Sequence, residues 1–246
     1  MITSKENTTY KLWMKLKQKK YRTREQLFLI EGEHLVIEAQ KADAIVEVLV
    51  CEGINFNYAG AVTYLAKPLF EKLSLTVSSA GVMAVCRIKE QELARHHRLL
   101  LVDDLRDPGN LGTLIRSALA FGFDGLIMSE TTVDVYNDKV IRATQGAMFH
   151  LPMRVANLED YILDLRGQGV EVYATTLTED AKPMDAISQT EKMAFIVGNE
   201  GAGISCKLVD ACDGSIVIEM SNMMESLNVG VAGSILMQKF NGLGKG

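Results

Sequence analysis

The chain has 246 residues, of which 48% are apolar and 23% are charged, and its formal net charge at pH 7 is −5. This length suits one large domain or two small ones and is enough to bury a sizeable core. No segment approaches the roughly 18 uninterrupted apolar residues of a membrane span, and the N-terminus, MITSKENTTYKLW, has no apolar run of the signal-peptide type. The sequence therefore predicts a soluble cytoplasmic protein.

Positive charge is concentrated at the N-terminus. Residues 1–24 contain eight lysines and arginines against a single glutamate, a local balance of +7, so the rest of the chain carries −12. A basic segment on an acidic body is typical of an arm or helix that meets nucleic-acid phosphate. A solvated basic helix without a partner has the same composition, and charge alone does not separate the two interpretations.

The first ninety residues have the pattern of an alternating α/β unit. Segments with apolar residues at helical spacing take turns with short segments of strand-like pattern. A charged stretch at residues 89–98 then indicates a linker. The predicted features are a short apolar run at 27–30, a helix at 33–41, a strand at 45–50, a helix that starts near Pro68 and a strand at 82–88.

From residue 99 the alternation of strands and helices is stronger. LLLVDDL (99–105) is apolar until it ends in acids, which is the pattern of a parallel strand buried on both faces. The pattern predicts a parallel sheet covered by helices on both sides. The predicted strands are 99–105, 125–128, 151–155, 170–174, 194–197 and 215–220, and the predicted helices are 110–121, 140–148, 158–166, 205–211 and 225–240.

Ligands of an open parallel sheet bind beyond the carboxyl ends of its strands, so the segments after the strands carry the candidate site. In the first of them Asn110 is placed to cap the helix that contains Arg116. The four segments are DDLRDPGNLGTLIRSA, Thr175-Thr176-Leu177, GNEGAGIS (198–205) and IEMSNMMESLNVGVAG (218–233).

Several catalytic machineries are missing from this sequence. It has no Gly-x-Ser-x-Gly elbow and no HExxH, and its four cysteines have no CxxC spacing, so neither a metal site nor a disulfide framework is expected. GNEGAGIS lacks the spacing of a GxxxxGK[ST] or GxGxxG loop, and His150, in apolar FHLPM, is interpreted as a core residue. The polar groups at the strand ends suit the binding of a preformed reactive cofactor better than the building of a nucleophile.

Three blocks, taken in order, resemble the SpoU (TrmH) class of SPOUT methyltransferases, which use S-adenosylmethionine to methylate ribose 2′-hydroxyls in RNA. DPGNLGTLIRSA (107–118), VGNEGAGIS (197–205) and IEMSNMMESLNVGVAGSI (218–235) are similar to the three motifs of that family. The resemblance covers residues 99–240. It implies a parallel-sheet α/β trefoil-knot (SPOUT) methyltransferase domain at 98–246, preceded at 1–92 by a small L30e-like α/β domain that binds the RNA substrate.

The resemblance also implies two sets of site residues and a homodimer formed through the C-terminal domain, with the active site completed near the interface. The polar groups expected at the reaction site are Asn110, Arg116, Glu200, Ser226 and Asn228. The residues expected to line S-adenosylmethionine are Thr176, Leu177, Gly198, Ile218, Met220 and Leu227.

The implied function is methylation of a ribose 2′-hydroxyl in structured RNA, with rRNA favoured over tRNA. Glu219, Asn222 and Gly230 stand where the family usually has proline, glycine and serine. A catalytically decayed RNA-binding relative of the same fold therefore remains an alternative. A dehydrogenase on a doubly wound sheet is a second alternative, but it requires a glycine fingerprint after the first strand, where this chain has DDLRDPGN.

The chemistry expected of Arg116 is electrostatic. A guanidinium is effectively never neutral in a protein, so Arg116 is expected to bind an RNA phosphate or to stabilise the developing alkoxide, with the substrate phosphate as a possible proton acceptor. The competing interpretation is a structural arginine paired with Asp103 or Asp107.

Overall fold

The computed structural model describes residues 1–221 and 223–243, which form two compact units. The first unit comprises Met1–Lys89 and Asp134–His150, and the second comprises Glu90–Val133 and the chain from Leu151 onward. The chain first passes from the first unit to the second between Lys89 and Glu90, at the start of the linker predicted at 89–98. The segment Asp134–His150 departs from the predicted boundaries of 1–92 and 98–246, because it lies within the second range in sequence but packs in the first unit.

Most elements lie close to their predicted positions. β3 and β9 have no counterpart in the sequence prediction, because runs of four and two residues are too short to show a period. Within the described part of the chain, no helix has the length and apolar character needed to cross a bilayer. The helices are α1 (Thr8–Lys15), α2 (Lys19–Glu25), α3 (Glu33–Lys41), α4 (Lys67–Leu73), α5 (Pro108–Ala120), α6 (Asp138–Thr144), α7 (Leu158–Gly167), α8 (Cys206–Ala211) and α9 (Val229–Lys239), with 3₁₀ turns at Ala147–Phe149 and Met184–Ala186. The strands are β1 (Leu27–Glu31), β2 (Ile45–Cys51), β3 (Val62–Leu65), β4 (Val82–Arg87), β5 (Arg98–Val102), β6 (Gly125–Met128), β7 (Met153–Val155), β8 (Glu171–Thr175), β9 (Lys182–Pro183), β10 (Met193–Val197) and β11 (Gly214–Val217).

The first unit is built on a four-stranded mixed sheet in the order β1-β4-β2-β3. β4 runs antiparallel to β1 and β2, and β3 runs parallel to β2. The basic N-terminal segment forms α1 and α2, and α1 is amphipathic. Its Tyr10 and Trp13 are buried in one cluster with Leu29 of β1 and Leu49 of β2, whereas its lysines are exposed. Part of the basic segment therefore closes the core of this unit.

A buried ion pair ties Asp134–His150 into the first unit. Arg22 is 8% exposed, and its guanidinium lies 2.5 Å from the carboxylate of Asp134. The same guanidinium donates to the backbone carbonyls of Leu16 and Lys17, at 3.0 Å each. Arg22 is thus a structural residue, although it belongs to the segment whose charge predicted contact with phosphate.

Aromatic packing makes a second connection to this segment. The ring of Phe28 lies 4.8 Å from that of Tyr136 and 6.2 Å from that of Phe149, measured between centroids. His150, predicted as a core residue, is exposed, and its Nε2 lies 2.8 Å from a carboxylate oxygen of Glu38. That prediction is wrong because the apolar neighbours Phe149 and Leu151 are buried while the polar ring between them reaches an acid at the surface.

A cleft of about 280 Å³ lies within the first unit, and none of the predicted site residues lines it. Its walls are Leu16, Lys17, Arg22, Leu29, Ser74, Leu75, Tyr136, Asn137 and Asp138. Burial lowers the pKa of Lys17, whose ammonium donates to the backbone carbonyls of Lys72 and Ser74.

The second unit is built on a seven-stranded sheet in the order β7-β6-β5-β10-β8-β11-β9, and every strand pair is parallel. All residues of β5 and β10 are buried, as expected for central strands covered on both faces. Ala194 and Ile196 of β10 pack in one cluster with apolar residues of α7 and α8. Phe195 points to the opposite face, where its ring stacks on Phe240 at 4.8 Å.

We expect Arg22→Met to destabilise the first unit by about 3 kcal/mol, because the carboxylate of Asp134 then stays largely buried without its cation. Urea unfolding followed by the fluorescence of Trp13, the single tryptophan of the chain, measures this loss. Lys11→Met is the matched control, since Lys11 pairs with Glu6 at the surface and exposed pairs contribute about 1 kcal/mol or less. Equal losses in the two variants would contradict the structural role of Arg22.

Candidate active site at the carboxyl ends of the parallel strands

Side chains from three separate segments of the second unit meet at one hydrogen-bonded chain. Nδ2 of Asn110, in the first turn of α5, donates to Oε1 of Glu200 at 2.9 Å. Nδ2 of Asn228, directly before α9, donates to Oδ1 of Asn110, also at 2.9 Å. The amide of Asn110 therefore joins the segments after β5, β10 and β11, and with them the three sequence blocks.

Asp107, and not the predicted Asn110, caps α5. Oδ1 of Asp107 accepts from the backbone N–H of Asn110 at 2.7 Å, and Pro108 occupies the first turn, where a missing N–H costs nothing. The predicted cap is wrong because the helix starts two residues earlier than its apolar pattern indicates. Since only the backbone of Asn110 is used by the cap, its side chain is available to Glu200 and Asn228.

Asn228 caps α9, so this helix begins at Val229 and not at the predicted residue 225. Oδ1 of Asn228 accepts from the backbone N–H of Gly230 at 2.9 Å and from that of Val231 at 3.3 Å. The oxygen of one amide thus satisfies the start of the helix while its nitrogen donates to Asn110. Because both ends of the amide are bonded, the orientation of the Asn228 side chain is determined.

The glycines inside α9 allow that helix to lie close to α5 of the same chain. A Cβ on Gly233 would come within 2.4 Å of a methyl group of Leu114. A Cβ on Gly230 would lie 3.3 Å from the Thr113 methyl group and 3.4 Å from Oδ1 of Asn110. The close approach brings Asn228 within hydrogen-bonding distance of Asn110, which explains why a helix carries two residues of low helix propensity.

The loop after β10 is organised by Asn199, a residue that the sequence analysis did not single out. Its Oδ1 accepts from the backbone N–H of Gly201 at 2.8 Å and of Ala202 at 3.0 Å. Its Nδ2 donates to the backbone carbonyl of Asp104 at 2.9 Å. The signal was present, because an asparagine two residues before a glycine is typical of a turn closed by its own side chain.

Asp104 turns the chain beyond the end of β5. Its φ of 49° lies in the left-handed region, which costs a non-glycine residue about 1 kcal/mol or more and persists where neighbours hold it. Its N–H donates to Oγ of Ser129, and its carbonyl accepts from Asn199. A hydrogen bond from Thr131, and then the pairing with Arg106 at 2.6 Å, hold the pKa of the Asp104 carboxyl below its ordinary value. The backbone carbonyl of Asp104 therefore supports the loop after β10.

Gly198 is required by the close approach of the backbone across this loop. The N–H of Asn199 donates to the carbonyl of Gly203, and the N–H of Gly203 donates back, at 3.0 Å each. A Cβ on Gly198 would lie 2.5 Å from that carbonyl. The backbone at this position leaves no room for a side chain.

The other two predicted catalytic residues lie outside the hydrogen-bonded chain. Arg116 is exposed on α5, and within residues 1–221 and 223–243 it makes no ion pair. Asp103 accepts instead from the N–H of Ser205, and Asp107 caps α5, so the structural pairing of Arg116 with either acid is not found. Ser226 is exposed in the irregular segment before α9.

The residues expected to line the cofactor lie on the segments that follow β8, β10 and β11. The N–H of Thr176 donates to the carbonyl of Ile216, and Leu177 is 64% exposed. The predicted last strand, 215–220, ends at Val217, so Ile218 and Met220 lie in the irregular segment beyond it. The strand ends early because no neighbour continues the ladder past Val217 in the described residues. Leu227 is 36% exposed, and Asn222 lies outside the described residues.

Comparison with known proteins decides the family. Residues 97–238 match the model of the SpoU rRNA Methylase family, and residues 7–84 match that of the MRM3-like substrate binding domain. The chain belongs to the SpoU rRNA methylase family. The three-block resemblance is thus confirmed, and the first unit contains a match to a substrate-binding domain, as the resemblance implied.

Full-length relatives and solved structures agree with this assignment. The chain is 41% identical over 246 residues to the 23S rRNA (guanosine(2553)-2′-O)-methyltransferase RlmP of Bacillus subtilis (strain 168), covering 98% of this chain and 99% of that protein. A putative RNA methyltransferase of the TrmH family from Porphyromonas gingivalis superposes with a TM-score of 0.86 at 27% identity, covering 98% of each chain. The AdoMet-bound rRNA methyltransferase from Sinorhizobium meliloti gives 0.86 at 28% identity, covering 97% of this chain and 95% of that one. The predicted fold class, a parallel-sheet SPOUT domain that follows a small α/β domain along the chain, is confirmed.

Gly198→Ala should cost about 1–3 kcal/mol of stability, because the added methyl group forces the backbone of the loop to move. Gly201→Ala is the matched control in the same loop, since a Cβ there would meet only Oδ1 of Asn199 at an ordinary 3.6 Å. Thermal unfolding of both variants checks the difference. A Gly198→Ala protein as stable as Gly201→Ala would show that the loop is not packed as described.

Proposed function

We propose that this protein transfers the methyl group of S-adenosylmethionine to a ribose 2′-hydroxyl of 23S rRNA, on a guanosine. The observation that carries the proposal is the hydrogen-bonded chain from Asn228 through Asn110 to Glu200, which unites the three sequence blocks of the family at one end of the sheet. The Bacillus relative named for a 2′-O-methylation of guanosine in 23S rRNA aligns with 98% of the chain, which supports the RNA and the base.

The segments after β8, β10 and β11 fit an adenosine-containing cofactor. They expose the apolar side chains of Leu177 and Leu227 beside irregular backbone, and sites for a planar base combine apolar faces with a few backbone groups. When bound, S-adenosylmethionine supplies a methyl group made electrophilic by its sulfonium. The residues proposed to hold it are Thr176, Leu177, Gly198, Ile218, Met220 and Leu227.

The amide chain orients the nucleophile in this proposal. The bond from Asn110 uses one carboxylate oxygen of the exposed Glu200, so the second oxygen can accept a hydrogen bond from the ribose hydroxyl. Asn228 keeps Asn110 in the orientation that serves Glu200. Holding the hydroxyl in line with the methyl group lowers the barrier by several kcal/mol, because the entropy of alignment is lost on binding and not in the reaction.

Arg116 supplies positive charge toward the RNA. Its guanidinium is exposed and has no acidic partner among the described residues, so it can bind an RNA phosphate. Because it stays protonated at any physiological pH, it does not act as the base; it stabilises charge on the 2′-oxygen as the hydroxyl proton passes to the Glu200 carboxylate that accepts its hydrogen bond. Ser226 is proposed to join this polar group on the substrate side.

The decayed RNA-binding alternative depends on Glu219, Asn222 and Gly230. Glu219 is exposed, and the N–H of Gly230 donates to the amide of Asn228 that belongs to the site. Glu219 and Gly230, the two departures from the family pattern that lie in the described residues, thus leave the hydrogen-bonded chain in place. This favours an active enzyme. The dehydrogenase alternative is excluded by the family to which the chain belongs.

Substitutions at Asn228 separate its role in the site from its role as a cap. Asn228→Asp keeps an oxygen that caps α9 but cannot donate to Asn110, so it should retain stability and lose about 100-fold or more in methyl transfer. Asn228→Ala loses the same activity and about 1 kcal/mol of stability. Incorporation of labelled methyl groups into 23S rRNA, together with thermal unfolding, measures both effects.

Arg116→Ala and Asn110→Ala test the rest of the site in the same assay. Both should abolish turnover in a folded protein that still binds S-adenosylmethionine by calorimetry, because neither side chain belongs to the proposed cofactor wall. Full turnover in these variants would refute the site. A folded wild-type protein that does not bind S-adenosylmethionine would instead support the decayed alternative.

A cytoplasmic homodimer completes the proposal, with the site finished by the second copy. Exposed apolar residues on the second unit, Met224 (65%), Val231 (47%) and Leu119 (37%), support burial against a partner. Light scattering after gel filtration should give twice 27.1 kDa for the wild type, and Val231→Glu, which places a charge on the exposed side of α9, should shift the mass toward one copy. A monomeric wild-type protein at micromolar concentration would contradict the dimer.

A further inference from the structure

Three cations of the first unit surround one aromatic ring at the corner between α1 and α2. The charged groups of Lys15, Lys20 and Arg24 lie 5.7, 4.8 and 5.0 Å from the ring centroid of Tyr21. All three side chains are exposed, as is that of neighbouring Lys19, and Tyr21 is half-buried. We call Lys15, Lys19, Lys20 and Arg24, with Tyr21, the cationic corner.

Two other lysines of the first unit, Lys11 and Lys41, are paired with acids. Lys11 pairs with Glu6 and Lys41 pairs with Glu38, at 2.5 and 2.6 Å. Within the described chain, Lys15, Lys19 and Lys20 have no acidic partner, and Arg24 alone is paired, with Glu25. The four cations of the corner, with Glu25 as their one acidic partner in the described chain, thus keep a net positive charge.

This arrangement is electrostatically costly without an anion. Any two of the three groups around Tyr21 lie within about 11 Å of each other, which is close to the Debye length of about 10 Å in 0.1 M salt. Their mutual repulsion is therefore only partly screened. Cation–π contacts at exposed sites stabilise the folded protein by only about 0.5–1 kcal/mol each. A bound polyanion would remove the repulsion and release its own counterions.

We propose that the cationic corner binds the phosphate backbone of the RNA substrate and positions it without reading its sequence. The corner has several charges around one aromatic face and lies in the unit whose sequence matches a substrate-binding domain. Phosphates pair with the lysines and the arginine, whose charged groups Tyr21 holds together through its ring. The inference rests on the proposed function for the identity of the RNA but not for the contact with phosphate.

Binding measured in the absence of S-adenosylmethionine tests this contact directly. The triple variant Lys15→Ala, Lys20→Ala, Arg24→Ala is compared with the double control Lys11→Ala, Lys41→Ala, which removes lysines paired with acids. The probes are a fluorescently labelled transcript of 23S rRNA and a random-sequence RNA of equal length, each titrated from 50 to 200 mM salt. Circular dichroism and Trp13 fluorescence verify that both proteins are folded.

We expect the slope of log affinity against log salt to fall by about 2–3 in the triple variant, because each lost phosphate contact removes about 0.7–0.9. The loss should be equal for both RNAs, the control should match the wild type, and methyl transfer at saturating RNA should be retained with a raised KM. A slope equal to that of the control overturns the proposal. So does polyglutamate that competes as well as RNA, since the surface would then suit an acidic protein. Binding of random-sequence RNA and methyl transfer are measured separately. A cationic corner that does not bind phosphate can therefore be distinguished from a protein that does not catalyse the proposed reaction.

Discussion

The site depends on one amide that is bonded at both ends. Oδ1 of Asn228 accepts from the first N–H groups of α9, and its Nδ2 donates to Asn110, which in turn donates to Glu200. If the amide were reversed, the start of the helix and the site would both lose their partners. The requirement of helix capping therefore determines the orientation of a functional group, and the two amides form a directed chain of donors that ends on a carboxylate.

Close packing of two helices makes that chain possible. Gly230 and Gly233 remove the side chains that would separate α9 from α5, and the hydroxyls of Ser117 and Ser234 bond across the same pair of helices at 2.7 Å. On the neighbouring strand, Asn199 closes the loop that carries Glu200 against a strained Asp104. The polar residues of the candidate site are thus held by the packing of α9 against α5 and by the loop after β10.

The first unit divides one basic segment between its core and its surface. Arg22 is buried and paired with Asp134, whereas Lys15 and Lys20 remain exposed around Tyr21 only a few residues away. Both uses follow from helical geometry, because α1 and α2 each have a face toward the core and a face toward water. The partner of Arg22 lies 112 positions along the chain, so composition could not distinguish the structural arginine from the available lysines.

The sequence alone predicted most strands and helices, though not β3 or β9, and its three motifs indicated the family, because periodicity and short motifs are local properties of the chain. Tertiary structure decided that Asp107 caps α5, that Asn228 and Asn110 share a bond, and that Asp134–His150 packs in the first unit. These features depend on contacts between residues far apart in the chain, and only the folded backbone brings such residues to hydrogen-bonding distance.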